Sequence, residues 1–132
     1  MLRKNAKVEL IKGVPLFSEC SKKELGEVAG IADEIDLREG KELTKQGGLG
    51  REFFILVEGT ADVKKGNRRV NQLGPGDFFG EISLIRHTPR TATVVATSPV
   101  RTLVITERSF QTLLQHQPGI QTKVMKIGRA HV

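Results

Sequence analysis

Tryptophan and tyrosine are absent from this chain, cysteine occurs once, and histidine three times. Each absence removes a class of protein. Cys20 has no second cysteine with which to close an internal bridge, and no Cys or His stands near it at metal-ligand spacing, so a disulfide scaffold and a thiolate metal centre are both excluded. It reads as a bland thiol near a helix start. No pair among His87, His116 and His131 has a strand spacing that would converge on one ion, and His131 sits at a frayed end. No serine occupies a Gly-x-Ser-x-Gly elbow. No catalysis is expected. No apolar run approaches the ~20 residues needed to span a bilayer, and the N-terminus interleaves Arg3, Lys4, Glu9 and Lys12 with apolar residues, so it lacks a signal-peptide core. The expected location is cytoplasmic, without membrane insertion.

Charge of one sign is plentiful, yet it is not gathered. The net charge of +6 and pI near 9.8 invite nucleic acid as a partner. However, Lys22-Lys23 is followed by Glu24, Arg38 by Glu39 and Lys41 by Glu42, which describes a mixed, solvated surface. Only the end, with Lys123, Lys126 and Arg129, is clearly basic, and no later segment offers a helix-turn-helix. Direct DNA binding is therefore not expected.

What is present suits one domain with one core: 132 residues, 38% of them hydrophobic and 27% charged. Ser21-Lys22-Lys23-Glu24 is a capping box, and Leu25, Val28, Ala29 and Ala32 follow at helical spacing. A shorter helix is expected from Val8 to Lys12. From Glu34 onward the texture changes to short β-forming runs separated by Glu39-Gly40, Gly47-Gly48, Glu58-Gly59, Lys65-Gly66-Asn67 and Gly74-Pro75-Gly76, the rhythm of a small sandwich or roll. Residues 53–57 form a continuous apolar run suited to a strand buried on both faces, and residues 91–97 alternate in part, with Ala92, Val94 and Ala96 on one side. Pro75-Gly76 fits the central positions of a type II turn. Thr106 is a candidate N-cap for a helix carrying Phe110, Leu113 and Leu114, interrupted at Pro118-Gly119. A last helix resumes at Ile120, presents Ile120, Val124 and Ile127 as an apolar stripe, and ends early at Gly128.

The chemistry concentrates in Phe79-Gly80-Glu81-Ile82-Ser83-Leu84 and, after a short gap, Pro89-Arg90-Thr91-Ala92. Gly80 lets the backbone approach a ligand, and the amides of the turn that begins there point at an anion. Arg90 supplies a planar fork for two phosphate oxygens, and Glu81 accepts a hydrogen bond from a ribose hydroxyl. Ile82, Leu84 and Ile85 bury the underside of the short helix, and Pro89 stops it, so that Arg90 starts the next strand. The bland rival is an exposed Glu81–Arg90 ion pair worth under about 1 kcal/mol, which leaves unexplained why glycine precedes the acid and proline the base. Ser83 donates to a phosphate oxygen or completes a helical turn. Thr91 contacts the phosphate or a guanine edge, or is simply a strand threonine. Phe78 and Phe79 read as core.

These two segments resemble the phosphate-binding cassette of the cyclic nucleotide-binding domain, the family of the catabolite activator protein and of cyclic-nucleotide-dependent kinase regulatory domains. Val14-Pro15-Leu16-Phe17, Phe53-Phe54-Ile55-Leu56-Val57-Glu58-Gly59 and Leu73-Gly74-Pro75-Gly76-Asp77-Phe78 extend the likeness in the family's order along nearly the whole chain. The resemblance is to a stand-alone bacterial-type module and implies a mainly β fold. That fold is an eight-stranded antiparallel β-roll, jelly-roll-like (a double-stranded β-helix), with N-terminal helices, a short cassette helix and C-terminal lid helices. Residues 1–132 then make a single domain: helices in 1–33, the roll in 34–106 with the cassette at 78–92, and helices again in 107–132. It implies a sensor whose ligand is cAMP, less readily cGMP, with no other cofactor. Ligand contacts would come from Phe79, Gly80, Glu81, Ile82, Ser83, Arg90, Thr91 and Ala92. Drawing the cassette onto the phosphate would free Phe110 and Leu114 to repack and let the last helix close over the base, or form an interface. The partner beyond the nucleotide is an unknown protein effector. Two readings stand beside the sensor: a regulatory fragment or partner of a larger transcription factor, channel or acyltransferase, and a scaffold that kept the fold and lost the ligand.

Overall fold

The computed structural model describes residues 2–130, the side chains of 129 and 130 excepted; His131 lies outside them. The helices at the start are α1 (Lys4–Lys12) and α2 (Lys22–Gly30), separated by a 3₁₀ turn at Pro15–Phe17. The α2 capping box forms as read: Glu24 N–H donates to Ser21 Oγ at 3.1 Å and Ser21 N–H to Glu24 Oε1 at 2.8 Å. Helix α1 starts four residues before the expected Val8, carried by packing of Val8 and Ile11 against the core.

Eight strands follow: β1 (Asp33–Leu37), β2 (Glu42–Thr44), β3 (Glu52–Glu58), β4 (Ala61–Lys65), β5 (Arg68–Leu73), β6 (Phe78–Phe79), β7 (Thr93–Ala96) and β8 (Val100–Thr106). They pair antiparallel throughout, in two four-stranded sheets of order β1-β8-β3-β6 and β2-β7-β4-β5. This is the β-roll that the resemblance implied. Strand β3 explains its own uninterrupted apolar run. Phe53 and Ile55 join the larger core, shared with Leu103 and Ile105 of β8 and with the helices, while Leu56 belongs to a smaller core with Ala61, Leu73 and Val94 of the second sheet. Each buried Phe or Leu stabilises the fold by roughly 1.5–3 kcal/mol.

The turn at Gly74-Pro75-Gly76-Asp77 closes with Asp77 N–H on Gly74 O at 3.0 Å and a φ of +88° at Gly76, as the type II reading requires. It delivers the chain into β6, and a 3₁₀ turn at Glu81–Leu84 follows. Leu84 and Ser83 are buried, while Ile82 and Ile85 are half-buried.

Two expectations need correction. Arg90 does not start a strand, because β7 begins at Thr93 and Ala92 lies before it; the backbone of Arg90 instead pairs with the loop after β2. The last helix does not wait for Ile120 or stop at Gly128. Helix α3 (Glu107–His116), capped by Thr106 Oγ1 accepting from Ser109 N–H at 3.1 Å, is followed by α4 (Pro118–Ala130). Pro118 is tolerated as the first helical residue, where its missing N–H costs nothing. Gly128 persists within the helix because the Ile85 side chain lies against it, where a Cβ would overlap Ile85 Cδ1. Ile120 and Val124 are fully buried, so the apolar stripe of α4 lies on this chain's own core.

Candidate functional site

Between the two sheets, at the end where the Glu81–Leu84 turn lies, is a cavity of about 490 Å³. All eight residues singled out in the sequence line it: Phe79 through Ser83 on one side, and Arg90, Thr91 and Ala92 on another. The wall they face was not read from the sequence. It consists of Thr44, Val63, Asn71, Leu73 and Val94, contributed by β2, β4, β5 and β7. Alternation along β4 and β7 was the available signal for Val63 and Val94. Nothing local marks Asn71 or Thr44.

Gly80 has φ +84°, a conformation that other residues rarely adopt, and its carbonyl accepts the Ser83 N–H at 3.0 Å to close the turn. It has a second reason to be glycine. A Cβ there would overlap Arg90 Nη1 and stand 2.9 Å from the Glu52 carbonyl oxygen, so the missing side chain makes room for the guanidinium. The sequence reading gave that space to the ligand; the structure gives it to Arg90. Ser83 is buried, and its hydroxyl lies 2.5 Å from Gly80 O and 3.2 Å from Glu52 O, an inward donor that completes the turn.

Arg90 donates from Nη2 to the Glu52 carbonyl at 2.5 Å rather than to the carboxylate of Glu81, so the simple ion pair is not what the structure contains. Its Nε is buried and has no acceptor. Burial lowers the affinity of the guanidinium for its proton, while the charges of Glu52 and Glu81 act in the opposite direction; an arginine remains charged in either case. The guanidinium thus brings a half-buried positive charge to the cavity wall, with one donor left unpaired at a cost of about 1–3 kcal/mol. Phe79 stacks on Phe54 with ring centroids 4.9 Å apart, and Phe78 packs edge-on against Phe53 at 6.1 Å, so both are core rings that also border the cavity.

Three contacts tie the end of the turn and the residues after it to the C-terminal helices. Gln111 Nε2 of α3 donates to Leu84 O at 3.0 Å, and His87 Nε2 meets Glu107 Oε1, at the start of α3, at 2.9 Å. Ile85 packs on Gly128 of α4. Among the described residues no group of His, Cys, Asp and Glu is arranged to hold a metal ion, and no helix is long and apolar enough to cross a membrane.

Comparison with known proteins converges on one family. The profile of the Cyclic nucleotide-binding domain matches residues 34–117. The cAMP-dependent protein kinase regulatory subunit of Mycosarcoma maydis is 40% identical over 124 residues, covering 85% of this chain but 23% of the relative; the chain thus spans about a quarter of that protein's length. A cyclic nucleotide-binding-like protein from Brucella abortus superposes with TM-score 0.75 at 27% identity, covering 83% of this chain and 98% of that one. The N-terminal domain of a transcriptional regulator from Streptomyces coelicolor shares the fold with TM-score 0.82 at 24% identity, over 92% of this chain and 89% of that one. With the roll, the cavity and the Gly80-to-Arg90 segment in place, the chain belongs to the cyclic nucleotide-binding domain family.

Proposed function

We propose that this chain is a cyclic-nucleotide sensor that binds cAMP, with cGMP the weaker ligand, in the cavity beside Arg90. The observation that carries this reading is the half-buried Arg90 guanidinium with an unpartnered Nε, lining the same cavity as Glu81. Arg90 would neutralise the cyclic phosphate, Glu81 would accept from the ribose 2'-hydroxyl, and the amides at the start of the Glu81–Leu84 turn would take further phosphate oxygens. The Ser83 amide already serves Gly80, which leaves those of Glu81 and Ile82. Thr91 and Ala92 would border the phosphate, and the apolar side chains of Val63, Leu73 and Val94 offer a surface for the base. The volume falls within the ~300–1,000 Å³ range of small-molecule sites. Similarity to a cAMP-dependent regulatory subunit supports cAMP over cGMP.

The whole of 1–132 would act as one module, because α1, α2, α3 and α4 all place side chains in the larger core. On binding, the cassette would move and the Leu84, Ile85 and His87 contacts would pass that movement to α3 and α4, where a protein effector would read it. The proposal is one of binding in the cytoplasm without catalysis, DNA contact or membrane insertion, consistent with a family named for binding. Displacement of a fluorescent cAMP analogue by unlabelled cAMP and cGMP tests it. Saturable displacement with cAMP the stronger competitor is expected; no displacement by either would favour the scaffold reading, and preference for cGMP would reverse the ligand.

A further inference from the structure

The loop after β2 holds Arg90 from three directions. Gly47 N–H donates to Arg90 O and Arg90 N–H to Gly48 O, both at 2.8 Å, so the backbone of Arg90 is locked into a two-bond ladder. Two residues on, Gly50 lies directly against the side chain: a Cβ there would occupy the position of Arg90 Nε and overlap Cζ and Nη2 as well. Gly50 is not glycine for its backbone, because the positive-φ glycines are Gly40, Gly47, Gly59, Gly66, Gly76 and Gly80. An alanine at 50 would fit the backbone, and the three atoms nearest its Cβ all belong to the Arg90 guanidinium. With Gly80 facing Nη1 from the cassette, the group sits in a slot formed by two missing side chains, and the Glu52 carbonyl at the end of the slot receives Nη2.

We infer that Gly50 is a positioning residue for Arg90: it sets the plane of the guanidinium and thereby the affinity of the cavity for an anionic ligand. This rests on the reading of Arg90 as the phosphate ligand. A planar fork satisfies two phosphate oxygens only when its plane contains them, so a displaced guanidinium keeps its charge and loses its paired geometry.

The test is a double-mutant cycle on the full chain, using Gly50→Ala, Arg90→Ala and the pair, with both cAMP affinity and thermal midpoint measured for each. Gly50→Ala alone should weaken cAMP binding at least tenfold, and in the Arg90→Ala background it should change affinity by less than twofold. Wild-type affinity in Gly50→Ala, or equal losses in both backgrounds, would overturn the inference. If the wild-type protein binds neither cAMP nor cGMP, the functional reading fails and the slot is judged by the midpoints. Gly50→Ala should then lower the midpoint when Arg90 is present and leave it unchanged in the Arg90→Ala background. An equal drop in both would show that Gly50 serves the loop and not the guanidinium.

Discussion

Replacing Arg90 with alanine removes both a cation and a hydrogen bond to the Glu52 carbonyl. Binding should fall by about a hundredfold, since two charge-assisted hydrogen bonds contribute roughly 3 kcal/mol, and stability should fall by about 1 kcal/mol from the lost internal bond. Titration and urea unfolding of the same variant separate the two effects. Glu81→Ala should weaken cAMP binding and matter much less for 2'-deoxy-cAMP, because the deleted acceptor and the deleted hydroxyl are partners; equal losses for both ligands would contradict the ribose role. Ser83→Ala tests one of the residues, with Thr91, whose role was open. With its hydroxyl turned to Gly80 O and Glu52 O, the variant should lose about 1 kcal/mol of stability. Residue chemistry, and above all the family resemblance it carries, singled out Gly80, Glu81 and Arg90 from the sequence. What stayed hidden was Gly50, since its neighbour in space is 40 residues away in the chain and its backbone is ordinary.

Elements whose boundaries are chemical were the most legible. The Ser21 capping box, the Thr106 cap and the Pro75-Gly76 turn are each specified by side chains within four residues, and each formed as read. Ser21→Ala should therefore cost about 1 kcal/mol, seen as a midpoint drop of roughly 4 °C. Helix α4 was less legible because its limits are tertiary: Pro118 starts it, and Gly128 continues it by accommodating Ile85. That helix is also held through Glu24 of α2, whose Oε1 receives Lys123 Nζ at 2.5 Å. The Lys123 hydrogen bond keeps the Glu24 carboxyl below its ordinary value of 4.5, and Glu24 in turn holds the Lys123 ammonium above 10.5. A carboxyl whose pKa is lowered by folding contributes stability above its unfolded value and loses it as pH falls through the folded value; for the raised ammonium the loss comes instead as pH rises through its folded value. The tie between α2 and α4 is thus complete at neutral pH and weakens on acidification below about 4.5. Thermal midpoints recorded from pH 7 to pH 3 should show a steeper acid drop for wild type than for Glu24→Gln, which keeps the capping acceptor and lacks the titration. Cys20, beside this tie, has its thiol pushed up to about 11, chiefly by burial, with the Glu24 charge adding to it, and it stays protonated at neutral pH.

At the scale of the whole molecule, the two sheets divide the work. The sheet containing β3 and β8 carries the helices on one face and encloses the smaller core and the cavity on the other, so the cassette lies between the ligand space and α3 and α4. The count of turns and the β-forming runs made a small sandwich or roll legible, and the resemblance chose the roll, but the pairing order joins strands far apart in the chain, such as β1 with β8. This is why the far wall of the cavity, Thr44, Val63, Asn71, Leu73 and Val94, emerged only in three dimensions. The basic excess is similarly a whole-molecule quantity: Lys123 and Lys126 face Glu24 and Glu19, so the clearest basic stretch is partly neutralised by α2 and the residue preceding Cys20. The proposed function requires that this architecture place Arg90 to hold a cyclic phosphate. Its most direct test is calorimetric titration of cAMP into wild-type and Arg90→Ala protein, each freed of co-purified nucleotide by unfolding and refolding. Saturable binding at micromolar or tighter affinity that Arg90→Ala weakens by about a hundredfold is the predicted result; binding of equal strength in the two proteins, or no binding of cAMP to the refolded wild type, would contradict it.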